Sequence, residues 1–140
     1  MHDVKLLNEL IKKLEACQGP DRELDGEIAV AVLGGDIVWL SANGTMDMYP
    51  VRRYASTTHV TGVGNAPILC YTSSLDAARQ LVPVNHSWRI ESLGYAVVLR
   101  AALNWRDQYP EHKAYGYTPE TALCAAAIKA HVAFLQQHGS

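Results

Sequence analysis

The chain has 140 residues, of which 49% are hydrophobic and 19% are charged. This composition is that of an ordinary globular protein, and the length suits a single domain, residues 1–140, whose core needs no metal or disulfide. The formal net charge of −2 excludes a general electrostatic attraction to long nucleic acid or to an anionic membrane. No segment has the ~18 consecutive apolar residues of a membrane span, and the start of the chain lacks the apolar stretch of a signal peptide, so we expect a cytoplasmic protein.

The beginning of the chain predicts two helices joined by a tight turn. Residues 4–17 place apolar side chains at helical spacing with charged side chains opposite, which is typical of an amphipathic helix. Gly19 and Pro20 end this helix, because glycine suits its C-terminal position and proline cannot continue it. Asp21 is a suitable N-cap for a second helix that runs to about Leu33, so an αα-hairpin is expected.

A short strand and a long irregular stretch are predicted next. Residues 37–40 are β-rich and follow a pair of glycines, which indicates a strand. Residues 41–67 contain several glycines, two prolines and a run of threonine and serine. Because a structureless stretch of this length is uncommon inside a compact domain and often has a function, we predict a long functional loop.

The middle of the chain predicts a short helix followed by a pair of strands. Ser73 and Asp76 form a capping box for a helix that runs to about Leu81. Residues 88–92 and 95–103 predict an antiparallel pair that turns near Gly94.

The end of the chain predicts a loop and a long helix. Residues 106–117 are polar and rich in tyrosine, which indicates a loop. Thr118 and Pro119 begin the last helix with a cap residue and a proline at its first position, and this helix runs to about Gln137. Its many alanines favour a helix and allow a neighbouring sheet or helix to approach the backbone closely.

Three framework segments carry a resemblance to a known family. They are residues 14–25 around the Gly19-Pro20 pair, residues 71–78 with Leu81-Val82-Pro83 and Trp88, and Thr118-Pro119 with residues 122–127. Together they resemble the phage ABA sandwich family, small proteins of phages and of bacteria that carry prophages. The resemblance spans about residues 4–134, while residues 41–66 match no family pattern. It implies an α/β fold of the α+β type, a three-layer α-β-α sandwich with an antiparallel sheet between helices, and it implies no particular activity.

The motifs of metal and redox sites are missing from the sequence. Three cysteines, Cys17, Cys70 and Cys124, form no CxxC pair, so reduced thiols are expected, with Cys17 and Cys124 buried in helices. The six histidines lack the spacing of a zinc site. We therefore expect no metal and no cofactor.

The motifs of catalysis are missing as well. There is no GxSxG nucleophile turn, and Gly62-Val63-Gly64 is only half of a dinucleotide-binding motif. Glu23, Asp25 and Glu27 predict a solvated helix face and not a pair of catalytic carboxylates. The interpretation is that the protein is not an enzyme, and hydrolysis through His59 or His86 is the weakest alternative.

A cationic and aromatic set of residues predicts the ligand-binding site. The candidates are Arg52, Arg53, Thr57, Thr58, His59, Trp105 and Arg106. Arginine matches phosphate oxygens with two parallel hydrogen bonds, hydroxyl groups add further bonds, and aromatic rings stack on bases. The alternative for this set is a solvated loop with aromatic side chains packed on the core.

Two functions from different classes remain open. In the first, the protein is a non-catalytic phage-type accessory protein that sequesters a small phosphorylated nucleotide signal, which would counter bacterial immunity, in a pocket completed by a second subunit. In the second, it is a structural or interaction module without a small-molecule ligand. Its loops then contact a host or phage protein, and its Ala-rich helix or an exposed sheet edge forms a homo-oligomer.

Overall fold

The computed structural model describes residues 4–41, 48–55, 63–83, 86–91, 96–101 and 111–138. The elements follow in the order α1 (Val4–Ala16), α2 (Arg22–Leu33), β1 (Asp36–Ser41), β2 (Met48–Ala55), β3 (Val63–Pro67), α3 (Leu75–Arg79), β4 (His86–Glu91), β5 (Ala96–Ala101), β6 (Glu111–Tyr115) and α4 (Pro119–His138). The strands form two antiparallel sheets, β1-β2-β3 and β4-β5-β6. The predicted α+β class with antiparallel strands is therefore confirmed, and the strands are divided between two sheets.

The helical hairpin forms as its sequence predicts. The apolar face of α1 is buried through Leu7, Leu10, Ile11 and Leu14. Asp21 caps α2, since its Oδ1 accepts a hydrogen bond from the Leu24 amide at 3.0 Å. Two glycines with positive φ, Gly34 (84°) and Gly35 (87°), end α2 and lead directly into β1.

The β1-β2-β3 sheet occupies part of the stretch for which a loop is predicted. Residues 48–55 and 63–67 are strands, so the prediction of a continuous loop over 41–67 is wrong there. Pro50 is compatible with the central strand because it pairs only with Trp39 of β1, while pairing with β3 begins at Val51 opposite Pro67. The missing amide hydrogen of Pro50 therefore breaks no hydrogen bond to β3.

The short helix α3 differs from its prediction at both ends. Its N-cap is Ser74, whose Oγ accepts a hydrogen bond from the Ala77 amide at 3.2 Å, and not Ser73. The helix ends at Arg79 and not at Leu81. Beyond that point the chain continues in i→i−3 hydrogen bonds, including one from the Leu81 amide to Ala78 at 3.0 Å, before it reaches Pro83.

The β4-β5-β6 sheet contains the predicted strand pair and a strand that sequence reasoning missed. Trp88 pairs with Leu99 as expected for an antiparallel pair, and the predicted turn at Gly94 lies outside the described residues. The predicted loop over 106–117 is wrong for 111–115, which form β6. This strand is polar because only Ala114 is fully buried, and so its composition resembles that of a loop.

Helix α4 lies at the centre of the core. Thr118 caps it as predicted, accepting a hydrogen bond from the Thr121 amide at 3.2 Å. All seven side chains from Ala122 to Ile128 have no exposed area, although seven residues cover the full circumference of a helix. The helix packs against α1, α3, β5 and β6, while α2 packs against α1, β1 and β2. The Ala-rich surface is thus used inside the molecule and is not available to form an oligomer.

Candidate functional site

Arg52 and Arg53 are the two predicted ligand-binding residues that the structure describes, and both lie on β2. Successive side chains of a strand point to opposite faces of the sheet, so the two guanidinium groups diverge. Arg52 is half-buried. Its Nη1 donates to the Gly34 carbonyl at 3.3 Å, and its guanidinium carbon lies 4.7 Å from the centre of the Tyr54 ring. Arg53 is exposed, and its Nε donates to Asn65 Oδ1 at 3.1 Å.

The other predicted site residues are not among those that the structure describes. They are Thr57, Thr58, His59, Trp105 and Arg106. Of the described pair, Arg52 is engaged with the body of the molecule, and Arg53 is available at the opposite face. The nucleotide site as a whole therefore stays a prediction.

Among the described residues, the most buried carboxylate belongs to Asp25, which is 1% exposed. Its Oδ1 accepts hydrogen bonds from the Thr72 amide at 2.7 Å and from Thr72 Oγ1 at 2.8 Å. Its Oδ2 accepts from Arg22 Nη1 at 3.0 Å, and Arg22 Nη2 donates to the Ile68 carbonyl at 3.0 Å. The prediction that this side chain lies on a solvated face is wrong, because the segment after β3 folds over it. The network fixes that segment to α2 and makes Asp25 a structural residue.

A groove between α1 and α2, here called the hairpin groove, exposes apolar surface. Its apolar lining is Leu6, Leu10, Val30, Ala31 and Ile37, and its charged lining is Glu9, Lys13 and Glu27. The groove has a volume of about 130 Å³. At its margin Leu6 is 52% exposed.

A second depression, here called the terminal cleft, lies between the start of α1 and the ends of α2 and α4. It has a volume of about 140 Å³ and is lined by Leu7, Ala31, Val32, Ile128, His131, Phe134 and Leu135. Phe134 is 60% exposed. Ala31 lines both depressions, so they adjoin at this residue.

Carboxylates give the hairpin groove a negative margin. Lys13 Nζ lies 2.8 Å from Glu27 Oε1, and this hydrogen bond raises the pKa of the lysine. Glu27 therefore neutralises Lys13, and Glu9 and Glu23 remain on the same surface as further negative charges. A third depression of about 380 Å³ continues from this margin along the first turn of α2. The surface thus combines exposed leucine with a local excess of negative charge.

His112 lies on the face of β6 that it shares with the buried Ala114. Burial lowers the pKa of its imidazole below the ordinary value of 6.5, and the nearby His86 and Lys129 lower it further. The neutral form of His112 is therefore favoured in the folded protein more than in the unfolded chain.

We expect this histidine to make stability depend on pH in the acidic range. Its contribution is complete above pH 6.5 and is lost as the pH falls below that value, because the unfolded chain binds the proton more readily. Urea unfolding of the wild type and of His112→Gln at a series of pH values measures the effect. As the pH falls below 6.5, the wild type should lose more unfolding free energy than His112→Gln does. If the difference between the two proteins does not change with pH, His112 does not have the lowered pKa described here.

Within the described ranges, no group of three or more His, Cys, Asp or Glu side chains is arranged to hold a metal ion. Of the helices that can be described, none is long and apolar enough to cross a membrane. Comparison of the chain with protein-family models, with curated proteins and with solved structures found no match. The described surfaces are therefore the basis for assigning a function.

Sequence reasoning missed the hairpin groove, although one residue carried a signal for it. The core face of α1 repeats through Leu7, Leu10, Ile11 and Leu14. Leu6 lies four residues before Leu10, at the edge of this face, where an apolar side chain can contact a partner. Phe134 carried no such signal, because it stands among other apolar residues of α4.

Proposed function

We propose that this protein is a non-catalytic interaction module, which binds an amphipathic helix of a partner protein in the hairpin groove and the terminal cleft. The observation that carries the proposal is the pair of apolar depressions that adjoin at Ala31, with Leu6 and Phe134, 52% and 60% exposed, in their linings. An amphipathic helix presents apolar side chains at helical spacing, and two adjoining depressions accept two such side chains.

The charges beside the surface define the chemistry of the partner. Glu9 and Glu23 are exposed, and Lys13 is neutralised by Glu27. A helix with lysine or arginine beside its apolar stripe would meet opposite charge, while an acidic helix would meet like charge. Charge of this kind selects partners and accelerates their encounter more than it adds affinity.

A pair of designed peptides tests the proposal without knowledge of the natural partner. One is an amphipathic helix of leucine, alanine and lysine, and the other has glutamate in place of each lysine. Fluorescence anisotropy should show binding of the lysine peptide and little binding of the glutamate peptide. Leu6→Asp should raise the Kd of the lysine peptide about tenfold or more, because it removes apolar contact.

The design separates apolar contact from general attraction between charges. Leu6→Asp adds a negative charge, which on its own would strengthen binding of a cationic peptide. Leu69→Asp is the matched control, since Leu69 is exposed and lies outside both depressions. Equal affinity of wild type and Leu6→Asp, or equal affinity for the two peptides, would refute the proposal.

Sequestration of a small phosphorylated nucleotide is the second candidate, favoured by the exposed guanidinium of Arg53. Its Nε is engaged with Asn65, which leaves its terminal nitrogens as donors for a phosphate. Calorimetry with a panel of cyclic and ADP-ribose-type nucleotides tests it, and loss of the heat in Arg53→Ala would support it. No heat with any member of the panel would reject it. A role in a phage or prophage is likewise a proposal that rests on the three framework segments.

A further inference from the structure

We propose that β4 is an edge at which two copies of this chain join, with their β4 strands antiparallel about a two-fold axis through Ile90. Each copy contributes a three-stranded sheet, β4-β5-β6, with β5 at the centre. Joining the β4 edges makes one continuous sheet across the dimer. This interface is separate from the hairpin groove and does not depend on the function proposed for it.

The opposite edge of the sheet is closed by side chains of the same chain. On β6, the Tyr115 amide donates to Glu15 Oε2 at 3.4 Å, and the Lys113 carbonyl accepts from Lys129 Nζ at 2.8 Å. Glu15 and Lys129 also form an ion pair at 3.3 Å. Helices α1 and α4 thus supply partners to the outer backbone groups of β6, which protects that edge from pairing with another strand.

The same bonds determine which backbone groups of β4 point outward. Since the backbone groups of Lys113 and Tyr115 point outward, β6 bonds to β5 through the residues between and beside them. In the antiparallel ladder, the backbone groups of Val97 and Leu99 on β5 therefore point toward β6. The backbone groups of the alternate residues, Ala96 and Val98, point toward β4. On β4, Glu91 and Arg89 lie opposite Ala96 and Val98 and bond inward. The backbone groups of Trp88 and Ile90 therefore face outward.

On the outer edge of β4, the His86 amide donates to the Pro83 carbonyl at 3.2 Å, while Trp88 and Ile90 differ from His86. None of the described residues gives a hydrogen bond to the outward amide or carbonyl of Trp88 or Ile90. The Ile90 side chain is 40% exposed, so apolar surface accompanies these backbone groups. Such an edge is a template for a further strand, and a second copy of β4 supplies one that bonds both outward groups of Ile90.

Charge complementarity selects a second copy and sets the register. With Ile90 opposite Ile90 of the second copy, Arg89 lies opposite Glu91 of that copy, and Glu91 lies opposite its Arg89. A shift that places Trp88 opposite Ile90 would instead place Arg89 opposite Arg89. Within one chain, Glu91 lies 3.0 Å from Lys113 and 3.5 Å from Arg89, so Lys113 is its closer partner and Arg89 is free to gain a second carboxylate.

A proline substitution tests the edge directly. In Ile90→Pro, the amide that is removed points outward, so the internal ladder keeps its hydrogen bonds. The two bonds between Ile90 and its copy at the axis are lost, and we expect the Kd of the dimer to rise about 30-fold. Sedimentation velocity over a wide range of concentration measures the Kd. Ile90→Thr is the control, because it keeps both the amide hydrogen and a β-branched side chain, and it should still dimerise.

Mixing two charge variants tests the register and remains decisive if the proline variant does not fold. Arg89→Glu alone and Glu91→Arg alone each place like charges opposite one another, and both should dimerise weakly. Mixed together, the two variants form only opposite-charge pairs, and native mass spectrometry should show a mixed dimer whose Kd is about tenfold lower than that of either variant alone. A monomeric wild type, an Ile90→Pro protein that dimerises normally, or a mixture without preference would overturn the proposal.

Discussion

Replacing Asp25 with alanine is expected to lower the free energy of unfolding by about 3 kcal/mol, because the substitution removes a buried hydrogen-bond acceptor and leaves the Thr72 amide unsatisfied. The carboxylate is 1% exposed and accepts hydrogen bonds from the Thr72 amide, the Thr72 hydroxyl and Arg22. In the variant, the Thr72 amide has no replacement acceptor, and the guanidinium loses its counter-charge. Urea unfolding followed by tryptophan fluorescence and circular dichroism measures the change.

Two further variants show whether the loss arises from this network. Glu23→Ala removes an exposed carboxylate from the same turn of α2 and should change stability by less than about 0.5 kcal/mol. Thr72→Val keeps the shape of the side chain and removes only the hydrogen bonds of the hydroxyl group. It should therefore lower the free energy of unfolding by less than Asp25→Ala does. If Asp25→Ala and Glu23→Ala unfold at the same urea concentration, the network does not stabilise the fold as described.

Enlarging an alanine in the first half of α4 is expected to be the second most damaging change. Ala126 has no exposed area, and neither have Ala122 and Leu123 on the preceding turn, so the larger isobutyl side chain of leucine has no space to occupy. Ala126→Leu should lower the free energy of unfolding by about 3 kcal/mol, since it forces shifts in the helices or strands that surround α4. Thermal unfolding monitored by circular dichroism measures the change.

The matched control for this variant lies on the same helix. Ala133 is partly exposed, and Ala133→Leu adds the same group where it can extend toward solvent. Both substitutions have nearly the same effect on helix propensity, so their difference reports packing. A small effect of Ala126→Leu, equal to that of Ala133→Leu, would show that α4 is less tightly enclosed than its burial indicates.

The helices could be predicted from sequence because their signals are local. The N-caps at Asp21 and Thr118 and the two glycines after α2 lie within a few residues of the helix ends that they determine. Strands β2, β3 and β6 could not be predicted, because their stability depends on distant partners. Pro50 and Pro67 indicate a loop when read locally, and only the register between β2 and β3 shows that Pro50 lies beyond the residues that pair with β3.

The candidate surfaces, too, depend on contacts that the sequence does not show locally. Arg52 and Arg53 are adjacent in sequence, but the alternation of a strand separates them, and the sequence alone predicted a loop at that point. The hairpin groove required knowledge of how α1 and α2 pack, although Leu6 was already at the edge of the apolar face of its helix. The burial of Asp25 came from a segment more than forty residues away in sequence, which no local pattern of α2 indicates.

The central position of α4 also constrains the order in which the molecule can form. Helix α4 comes long after α1 in the chain and is its principal partner. During synthesis on the ribosome, the apolar face of α1 therefore waits for residues 119–138 to emerge before it is covered. A chaperone that shields apolar helices would have its longest opportunity at Leu7, Leu10 and Leu14.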